Sequence, residues 1–413
     1  MLTVKEIGKK AKEASVILAG LSTEKKNEAL QNMAEELNIK TNEIIKANEK
    51  DIEEARKKGI KTALIDRLML NEERIAGMIE GLFALCELPD PIGKGTVIKR
   101  PNELTILKQR VPMGVIGIIY ESRPNVTSDA AGLCLKTGNS VILRGGSEAI
   151  NSNKAIISAL ALGLEKAGLP TECIQLIEDT SYDRVNELCK MNEYIDVLIP
   201  RGGNALIKTV VENSTVPVIK TGAGNCHIYI DKSADFEMAR SIIINAKTSR
   251  PSVCNAAEKL LVHKDIAQQF LPKALQDLEE IGVEIRGCEE TKKIYPSAAL
   301  AQEEDWDDEY LDMIICVKIV ETIDEAIKHI NRHGTSHSEA IVTKDYEMAG
   351  KFLSRVDAAC VYANASTRFT DGGEFGMGAE IGISTQKLHA RGPMGLEELT
   401  TIKYLILGNG QIR

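Results

Sequence analysis

The 413-residue sequence lacks several features that mark large classes of protein. It has no apolar run near the roughly 20 residues that cross a bilayer, and its N-terminus becomes charged at once, unlike a signal peptide. It has no C-x-x-C pair, and its nine cysteines stand singly, which argues against structural zinc and a disulfide framework. It has no excess of positive charge, since 51 Lys and Arg face 60 Asp and Glu. We therefore expect a cytoplasmic protein with reduced thiols that binds neither membranes nor nucleic acid.

The length and the helix signals predict more than one packed domain. A chain of 413 residues exceeds what one hydrophobic core usually organises. In residues 1–88 the apolar positions recur at intervals of three and four, which predicts helices. Thr41 and Asn71 are expected to be helix N-caps, and Gly59 is expected to end a helix.

Beyond residue 96, short apolar runs alternate with helical stretches. GVIGIIYE, SVILRG and IDVLIP belong to a first series, HIYID begins a second one, and TIKYLILG near the C-terminus predicts one more strand. Alternation of this kind indicates parallel sheets that are covered by helices. The sequence therefore predicts the α/β class, with a domain boundary near residues 220–230.

Four sequence words stand out, in the order ESRPNV, VCNAAE, AIKHINRHGTSHSEAI and FGMGAEIGIS. Around the first word, residues 111–149 predict a strand, a polar turn, a helix, a Gly-Asn turn, a strand and a Gly-rich turn. Around the second, Cys254 lies between a helix and a strand. GAGNCH at 222–227 lacks the third glycine of the usual dinucleotide fingerprint. Taken together, the words resemble the aldehyde dehydrogenase superfamily over most of the chain.

The resemblance implies an aldehyde dehydrogenase-like α/β fold with two Rossmann-like parallel-sheet domains and a small β extension for oligomerisation. The extension would join subunits into a homodimer or a homotetramer. The expected boundaries are 1–96 and 113–228, with 363–384, for an NADP-binding domain; 229–362 for a catalytic domain; and 97–112 and 385–413 for the oligomerisation strands.

Within the superfamily, the four words are closest to the branch that reduces the acyl phosphate of glutamate. This resemblance implies NADPH-dependent reduction of L-glutamyl 5-phosphate to L-glutamate 5-semialdehyde and phosphate, a step of proline biosynthesis. The sequence has no room for a kinase domain, so it resembles the free-standing form of the enzyme. Its functional partner would be the separate glutamate 5-kinase that makes the substrate.

Cys254 and Asn125 are the expected catalytic residues. A thiolate adds readily to an acyl phosphate, and the resemblance places the nucleophile at Cys254. The other eight cysteines are expected to be small buried apolar residues. The amide of Asn125 matches the family's donor to the oxyanion of the tetrahedral intermediate. A helix N-cap is a compatible second role for this asparagine.

The cofactor residues are expected at the end of the strand SVILRG. Arg144, with Gly145, Gly146 and Ser147, matches the place where the family holds the adenosine ribose. NAD-preferring relatives commonly have Glu where this chain has Ser147, so the sequence favours NADP(H). A plain β-turn would also explain the glycines. Glu309 matches the residue that holds the nicotinamide ribose; Glu304, or a solvated acidic loop, is the alternative.

Substrate contacts are expected from two further groups of residues. Arg123 could meet the acyl phosphate or the carboxylate, and HGTSHSE, which contains His337, is expected to pack beside the nucleophile. His333 and His337 are four apart, but Gly334 intervenes and no third ligand is apparent, so we expect no metal. Small hydroxyl groups and an arginine in one loop suit a carboxylate anchor, although surface chemistry would look the same. That loop contains Ser366, Thr367 and Arg368.

The stretch VPVIKTGAGNCHIYI offers Lys220 and Thr221 where hydrolytic relatives have a glutamate that activates water. Without this base, attack of water on an acyl-enzyme should be slow, and phosphate can be the acyl acceptor in the oxidative direction. The alternatives are a hydrolytic or acylating dehydrogenase of another short aldehyde, and a non-enzymatic protein on the same fold.

Overall fold

The computed structural model describes residues 2–60 and 62–413. By its internal contacts the chain forms two compact units. The first consists of Met1–Thr221, Gly376–Gly382 and Met394–Arg413, and the second of Gly222–Phe375 and Ile383–Pro393. The described residues include no helix that is long and apolar enough to span a membrane. No disulfide joins any of the cysteines, all of which lie in the described ranges.

The first unit begins with helices whose ends follow local capping rules. Thr3 and Glu6 form a reciprocal capping box, which satisfies backbone donors at the start of the first helix. Asn71 caps a later helix as predicted, because its side chain accepts from the N–H of Arg74. Gly59 has φ of +68° just after a helix, as a C-terminal stop requires. The helices are α1 Val4–Leu18, α2 Thr23–Ile39, α3 Thr41–Lys57, α4 Thr62–Leu68 and α5 Glu72–Glu87.

Thr41 is not the N-cap that the sequence predicts. The cap of α3 is Lys40, which makes no side-chain capping bond. The hydroxyl of Thr41 instead donates to the carbonyl of Leu37, in the preceding helix, at 3.1 Å. The two helices are separated by a single residue, so the hydroxyl satisfies the end of one helix rather than the start of the next.

A short antiparallel sheet of the first unit joins two distant parts of the chain. Its strands are β1 Gly95–Lys99, β2 Thr105–Pro112 and β16 Thr400–Leu407, in the order β1-β2-β16. The strand expected from TIKYLILG is therefore present, and it pairs with β2 over its whole length. Residues 383–393 belong to the second unit, so the sheet takes only the last part of the C-terminal segment.

The parallel sheet of the first unit has the order β5-β4-β3-β6. β3, which comes first in the chain among these four strands, lies between β4 and β6, so the strand order reverses beside it. Open α/β sheets bind ligands outside the carboxyl ends of the strands at such a reversal. The strands are β3 Val115–Tyr120, β4 Ser140–Arg144, β5 Ile174–Leu176 and β6 Val197–Arg201; the helices are α6 Asn125–Lys136, α7 Ile150–Lys166, α8 Tyr182–Leu188 and α9 Asn204–Asn213.

The second unit contains a larger parallel sheet, in the order β10-β9-β11-β8-β7-β12-β13. Its central strands are buried on both faces, as expected where helices cover both sides. The strands are β7 Cys226–Ile230, β8 Ala257–His263, β9 Glu284–Gly287, β10 Ala299–Leu300, β11 Ile314–Val320, β12 Ser338–Val342 and β13 Cys360–Ala363; β14 Ile383–Ser384 and β15 Gly392–Pro393 pair separately. The helices are α10 Phe236–Thr248, α11 Lys264–Glu280, α12 Glu289–Ile294, α13 Ile323–His333 and α14 Tyr346–Arg355.

The predicted β-α alternation and the parallel sheets are thus confirmed in both units. The assignment of cofactor binding to one domain, catalysis to the other and oligomerisation to the antiparallel strands stays a prediction.

Candidate active site

The predicted nucleophile lies in the turn that joins α10 to β8. Cys254 is partly exposed there, so its thiol can be reached. The N–H of Ala256 donates to the carbonyl of Val253 at 3.1 Å, which closes the turn just before the strand. Cys86 and Cys288 are also partly exposed, so the expectation that the other eight cysteines are all buried is wrong for these two. Exposure alone therefore does not distinguish Cys254 from every other cysteine, and its surroundings must do so.

Gly224 packs directly against the backbone of Cys254. A Cβ atom on Gly224 would lie 1.4 Å from the carbonyl oxygen of Cys254, so any side chain would displace the turn. The N–H of Gly224 donates to Oε1 of Glu309 at 2.6 Å. Glu309 is therefore bonded to the backbone that supports the nucleophile, whereas Glu304 is exposed in a 3₁₀ turn. The contact of Glu309 with a nicotinamide ribose stays a prediction.

A second cysteine supports the same backbone. The buried thiol of Cys226 lies 3.1 Å from the carbonyl oxygen of Cys254, to which it donates, and 3.8 Å from Nδ1 of His337. Burial raises the pKa of the Cys226 thiol well above its usual value, so this group stays neutral and does not compete as a nucleophile. Nδ1 of His337 is also 2.8 Å from the hydroxyl of Ser338. His337 thus reaches, through Cys226, the turn of residues 249–256 that contains Cys254. We call this segment the nucleophile turn, after the predicted role of Cys254.

The other histidine of the predicted pair is used differently. Nδ1 of His333 lies 2.8 Å from Oδ1 of Asp307, and its backbone carbonyl accepts from the side chain of Asn225. Within the ranges that the structure describes, no three His, Cys, Asp or Glu side chains are grouped so as to hold a metal ion.

Asn255, the residue after the nucleophile, connects the turn to the loop at 366–370. Its buried side chain donates to the carbonyl of Thr370 at 2.9 Å, and its own carbonyl accepts from the hydroxyl of Thr367 at 2.7 Å. Its Oδ1 also accepts from the guanidinium of Arg368. Reasoning from the sequence missed Asn255, although it stands in the word VCNAAE, because nothing in that word shows which loop it meets.

The three residues expected to hold the substrate carboxylate are engaged within the chain. The hydroxyl of Ser366 accepts from the N–H of Arg368 at 3.3 Å and caps a short 3₁₀ turn. Ser366 and Thr367 are buried, and Arg368 is partly buried. These bonds fix the shape of the loop beside the nucleophile turn. A contact with the substrate stays a prediction for all three residues.

In the first unit, the expected site residues follow strand β3. Ser122 has φ of +39°, a left-handed conformation that a serine rarely adopts. Its N–H and its hydroxyl both donate to Oε1 of Glu148 at 2.7 Å. The carboxylate of Glu121 accepts from the N–H of Gly203, after β6, at 2.8 Å. A strained turn held by carboxylates therefore marks the carboxyl end of β3, where the sheet order reverses.

Asn125 is the first residue of α6 and is exposed. Its second expected role, helix N-cap, is wrong: the cap is Pro124, and Nδ2 of Asn125 donates forward to Oδ2 of Asp129 at 2.9 Å. Burial raises the pKa of Asp129 to about 6, although the bond from Asn125 and the charge of Arg201 act in the opposite direction. Arg123, which precedes the cap, is half-buried. The functional roles of Asn125 and Arg123 stay predictions.

Arg144 ends β4 and is buried. Its Nη2 donates to the carbonyls of Thr180 and Ser181, while its buried Nε has no hydrogen-bond partner among the described residues. Burial also holds the pKa of Arg144 below its usual value, against the charges of Glu148 and other neighbours. A guanidinium with a free N–H at a strand end can donate a hydrogen bond to an anionic or hydroxyl-bearing ligand.

The two glycines after Arg144 lie close to other side chains of the first unit. A Cβ atom on Gly145 would lie 2.2 Å from the amide of Asn153, and one on Gly146 would lie 2.3 Å from the carboxylate of Glu148. Gly146 precedes a 3₁₀ turn that begins at the exposed Ser147. The chain therefore passes close to its own side chains here, and the cofactor role of these residues stays a prediction.

Comparison with known proteins agrees with this architecture. The family model described as "Aldehyde dehydrogenase family" matches residues 2–308 and 302–405. The chain belongs to the aldehyde dehydrogenase family. Gamma-glutamyl phosphate reductase of Clostridium botulinum is 64% identical over 407 residues, which cover 98% of both chains. The enzyme of the same name from Caldanaerobacter subterraneus subsp. tengcongensis is 63% identical over 406 residues, with the same coverage.

Solved structures of aldehyde dehydrogenase family members confirm the predicted fold. The crystal structure of gamma-glutamyl phosphate reductase from Thermotoga maritima has 52% identity and a TM-score of 0.97, and the match covers 99% of both chains. An acetylating aldehyde dehydrogenase from Geobacillus thermoglucosidasius has 19% identity and a TM-score of 0.72, over 99% of this chain and 97% of that one. The second likeness concerns the fold alone, because fold does not determine substrate.

Proposed function

We propose that the chain catalyses NADPH-dependent reduction of L-glutamyl 5-phosphate to L-glutamate 5-semialdehyde, with release of phosphate, in proline biosynthesis. The observation that carries this proposal is 61–64% identity, over nearly the full chain, to relatives named gamma-glutamyl phosphate reductase. The nucleophile turn supports it, because a partly exposed thiol on a firmly held backbone is what acyl transfer needs.

In the proposed mechanism, the Cys254 thiolate attacks the acyl carbon and forms a tetrahedral intermediate. Asn125 donates a hydrogen bond to the oxyanion, and collapse of the intermediate expels phosphate and leaves a thioester on Cys254. A nicotinamide cofactor held by Arg144 and Glu309 would supply the hydride that takes the thioester carbon to the aldehyde level, and cleavage of the bond from Sγ of Cys254 to that carbon would then release the semialdehyde. Thr221 is an unsuitable base for hydrolysis, since a neutral hydroxyl is a far weaker base than a carboxylate. Its hydroxyl donates to the carbonyl of Pro200 at 2.9 Å.

The proposed preference for NADP(H) rests on charge at the end of β4. Arg144 provides a buried cation whose Nε has no hydrogen-bond partner among the residues that the structure describes, and Ser147 leaves the neighbouring position without a carboxylate. The carboxylate of the next residue, Glu148, already accepts hydrogen bonds from the N–H and the hydroxyl of Ser122. These residues would hold the ribose and its phosphate, together with Gly145 and Gly146, while Glu309 would hold the nicotinamide ribose.

We also propose a homodimer or homotetramer in the cytoplasm, supplied with substrate by a glutamate 5-kinase. The antiparallel sheet supports self-association, because Ile402, Tyr404 and Ile406 are exposed and alternate along β16. Side chains two residues apart on a strand share a face, so these three form an exposed apolar row. A second copy of the chain would cover this row.

The test of the proposed function is reduction of NADP by glutamate semialdehyde, run with and without phosphate. We expect turnover that requires phosphate and is slower with NAD. Turnover without phosphate would indicate hydrolysis of the acyl-enzyme and would contradict the proposal. If other short aldehydes were oxidised with a kcat/KM equal to that of glutamate semialdehyde, the substrate assignment would be wrong.

Replacement of Asn125 by alanine is expected to lower kcat/KM by about two to three powers of ten, because one oxyanion donor is lost. An amide nitrogen carries two hydrogens, so the bond to Asp129 orients the group and leaves a second donor. Steady-state kinetics in the oxidative direction would measure the effect. Asn213→Ala, an exposed asparagine at the end of α9, is the matched control and should keep wild-type rates. Equal rates in the two variants would remove Asn125 from the mechanism.

A further inference from the structure

The guanidinium of Arg368 bridges the two ends of the nucleophile turn. Its Nε donates to the hydroxyl of Ser249 at 3.0 Å, and its Nη1 donates to Oδ1 of Asn255. Ser249 follows α10, and Asn255 follows the nucleophile. Arg368 therefore links residues 249 and 255, and Cys254 immediately precedes the second of these two residues.

A second arginine lies in the same turn, next to the first residue that Arg368 bonds. Arg250 directly follows Ser249 and is exposed. The charged and titratable groups that act on Arg368 are Arg250, Asp371, Cys254 and Cys226. Burial and the charge of Arg250 lower the pKa of Arg368, while Asp371 and the two cysteines act in the opposite direction. Arg250 is part of the turn that contains Cys254, and Arg368 is bonded to both ends of that turn. Two cations at one turn, with one carboxylate to offset them, favour a bound anion.

We propose that Arg250 and Arg368 form the subsite that receives the phosphoryl group of the acyl phosphate, beside Cys254. This inference rests on the proposed function and refines the role expected for Arg368. The phosphate of the substrate carries up to two negative charges and is joined through one oxygen to the carbon that the thiolate attacks, so it must lie next to the nucleophile. The substrate's α-carboxylate carries a single charge at the far end of the molecule. Guanidinium groups also match the geometry of phosphate oxygens.

The subsite acts on the bond that breaks. As the bond from Sγ of Cys254 to the acyl carbon forms, the bond from that carbon to the phosphate oxygen breaks, and its electron pair leaves with phosphate. Two guanidinium groups stabilise this departing charge. In the oxidative direction, the same groups hold inorganic phosphate while one of its oxygens attacks the thioester and the thiolate is regenerated.

The first test compares Michaelis constants in the oxidative direction. In Arg250→Gln, we expect the KM for phosphate to rise about tenfold to a hundredfold, as loss of a charge-assisted hydrogen bond predicts. The KM for glutamate semialdehyde should change less than about twofold, because that substrate carries no phosphate. Arg332→Gln, an exposed arginine at the end of α13, is the control and should alter neither constant. A raised KM for the semialdehyde with an unchanged KM for phosphate would instead assign the arginines to the carboxylate and overturn the proposal.

The second test does not need turnover. Alkylation of Cys254 by iodoacetamide, followed by peptide mass spectrometry, should be slowed by inorganic phosphate in the wild type. Phosphate should not protect Cys254 in Arg250→Gln or in Arg368→Gln, with thermal unfolding used to check that each variant is folded. Equal protection in all three proteins would overturn the subsite. If the wild type were protected but did not turn over glutamate semialdehyde, the subsite would stand and the proposed function would fail.

Discussion

Replacing Cys254 by serine is expected to lower kcat/KM by about four powers of ten or more, with little change in stability. Serine is nearly isosteric with cysteine, but its hydroxyl is far less acidic than a thiol and does not ionise near neutral pH. Because Cys254 is partly exposed in a turn, the substitution removes little packing. The rate of phosphate-dependent NADP reduction and the midpoint of thermal unfolding would measure the two effects.

The matched control for this variant is Cys288→Ser. Cys288 is also partly exposed and lies in the same unit, and its thiol is 3.4 Å from the hydroxyl of Thr291, a contact that serine can reproduce. Its activity should equal that of the wild type. Incubation with NADP and glutamate semialdehyde, without phosphate, should leave a glutamyl adduct on Cys254 of the wild type and none on Cys254→Ser. Loss of activity in Cys288→Ser, with activity retained in Cys254→Ser, would show that Cys254 is not the nucleophile.

Much of the fold could be predicted because its signals are local. Apolar runs of strand length predicted β3, β4, β6, β7 and β16, and the N-cap at Asn71 and the stop at Gly59 follow from the side chain or backbone of a single residue. The errors are local too. Thr41 and Asn125 both suit an N-cap, but each is already the first helical residue and bonds to a group elsewhere. Propensity shows that a helix begins nearby and does not fix the residue at which it begins.

The surroundings of the nucleophile could be predicted only in part. The word VCNAAE drew attention to Cys254, and HGTSHSE reaches the backbone of Cys254 through Cys226. The catalytic role of Cys254 and the substrate role of His337 stay predictions. The contacts that hold the turn, however, join residues far apart in sequence: Gly224 to Glu309 and Asn255 to Arg368. No periodicity connects such positions, because their pairing is set by which loops the sheet brings together. For the same reason the contact of Cys226 with the backbone of Cys254 could not be predicted, because the sequence shows only a cysteine in a strand.

A buried ion pair lies at the two ends of the nucleophile turn, and we expect its disruption to be the most destabilising of the changes considered. Lys247 lies in the last turn of α10, and Glu258 is the second residue of β8. Their side chains are fully buried, with 2.9 Å between Nζ and Oε2. Glu258 also accepts from the N–H of Leu311 at 3.2 Å. The pair therefore ties the helix to the strand on either side of the turn that contains Cys254.

Lys247→Met is expected to cost about 3–5 kcal/mol in the free energy of unfolding, because it leaves a carboxylate buried without its partner. Burial already raises the pKa of Glu258 to about 7, against the effect of Lys247. Without the lysine, this pKa should rise further above that of the unfolded chain. This raised pKa contributes stability that is fully present below the unfolded-state pKa and is lost as the pH rises through the folded-state pKa. The variant should therefore be less destabilised at about pH 6 than at about pH 8.5.

Urea unfolding at both pH values would measure this difference, and hydrogen exchange of residues 249–256 would show whether the turn opens first. Lys264→Met is the matched control, because the pair of Lys264 with Glu321 is exposed to solvent and should contribute little to stability. Lys247→Met combined with Glu258→Leu should recover most of the loss, since no uncompensated charge is then buried. If Lys247→Met cost no more than Lys264→Met at either pH, the pair would not be what holds the helix and strand together. Faster exchange confined to residues 249–256 in Lys247→Met would instead show that a buried charge pair maintains the backbone on which the nucleophile depends.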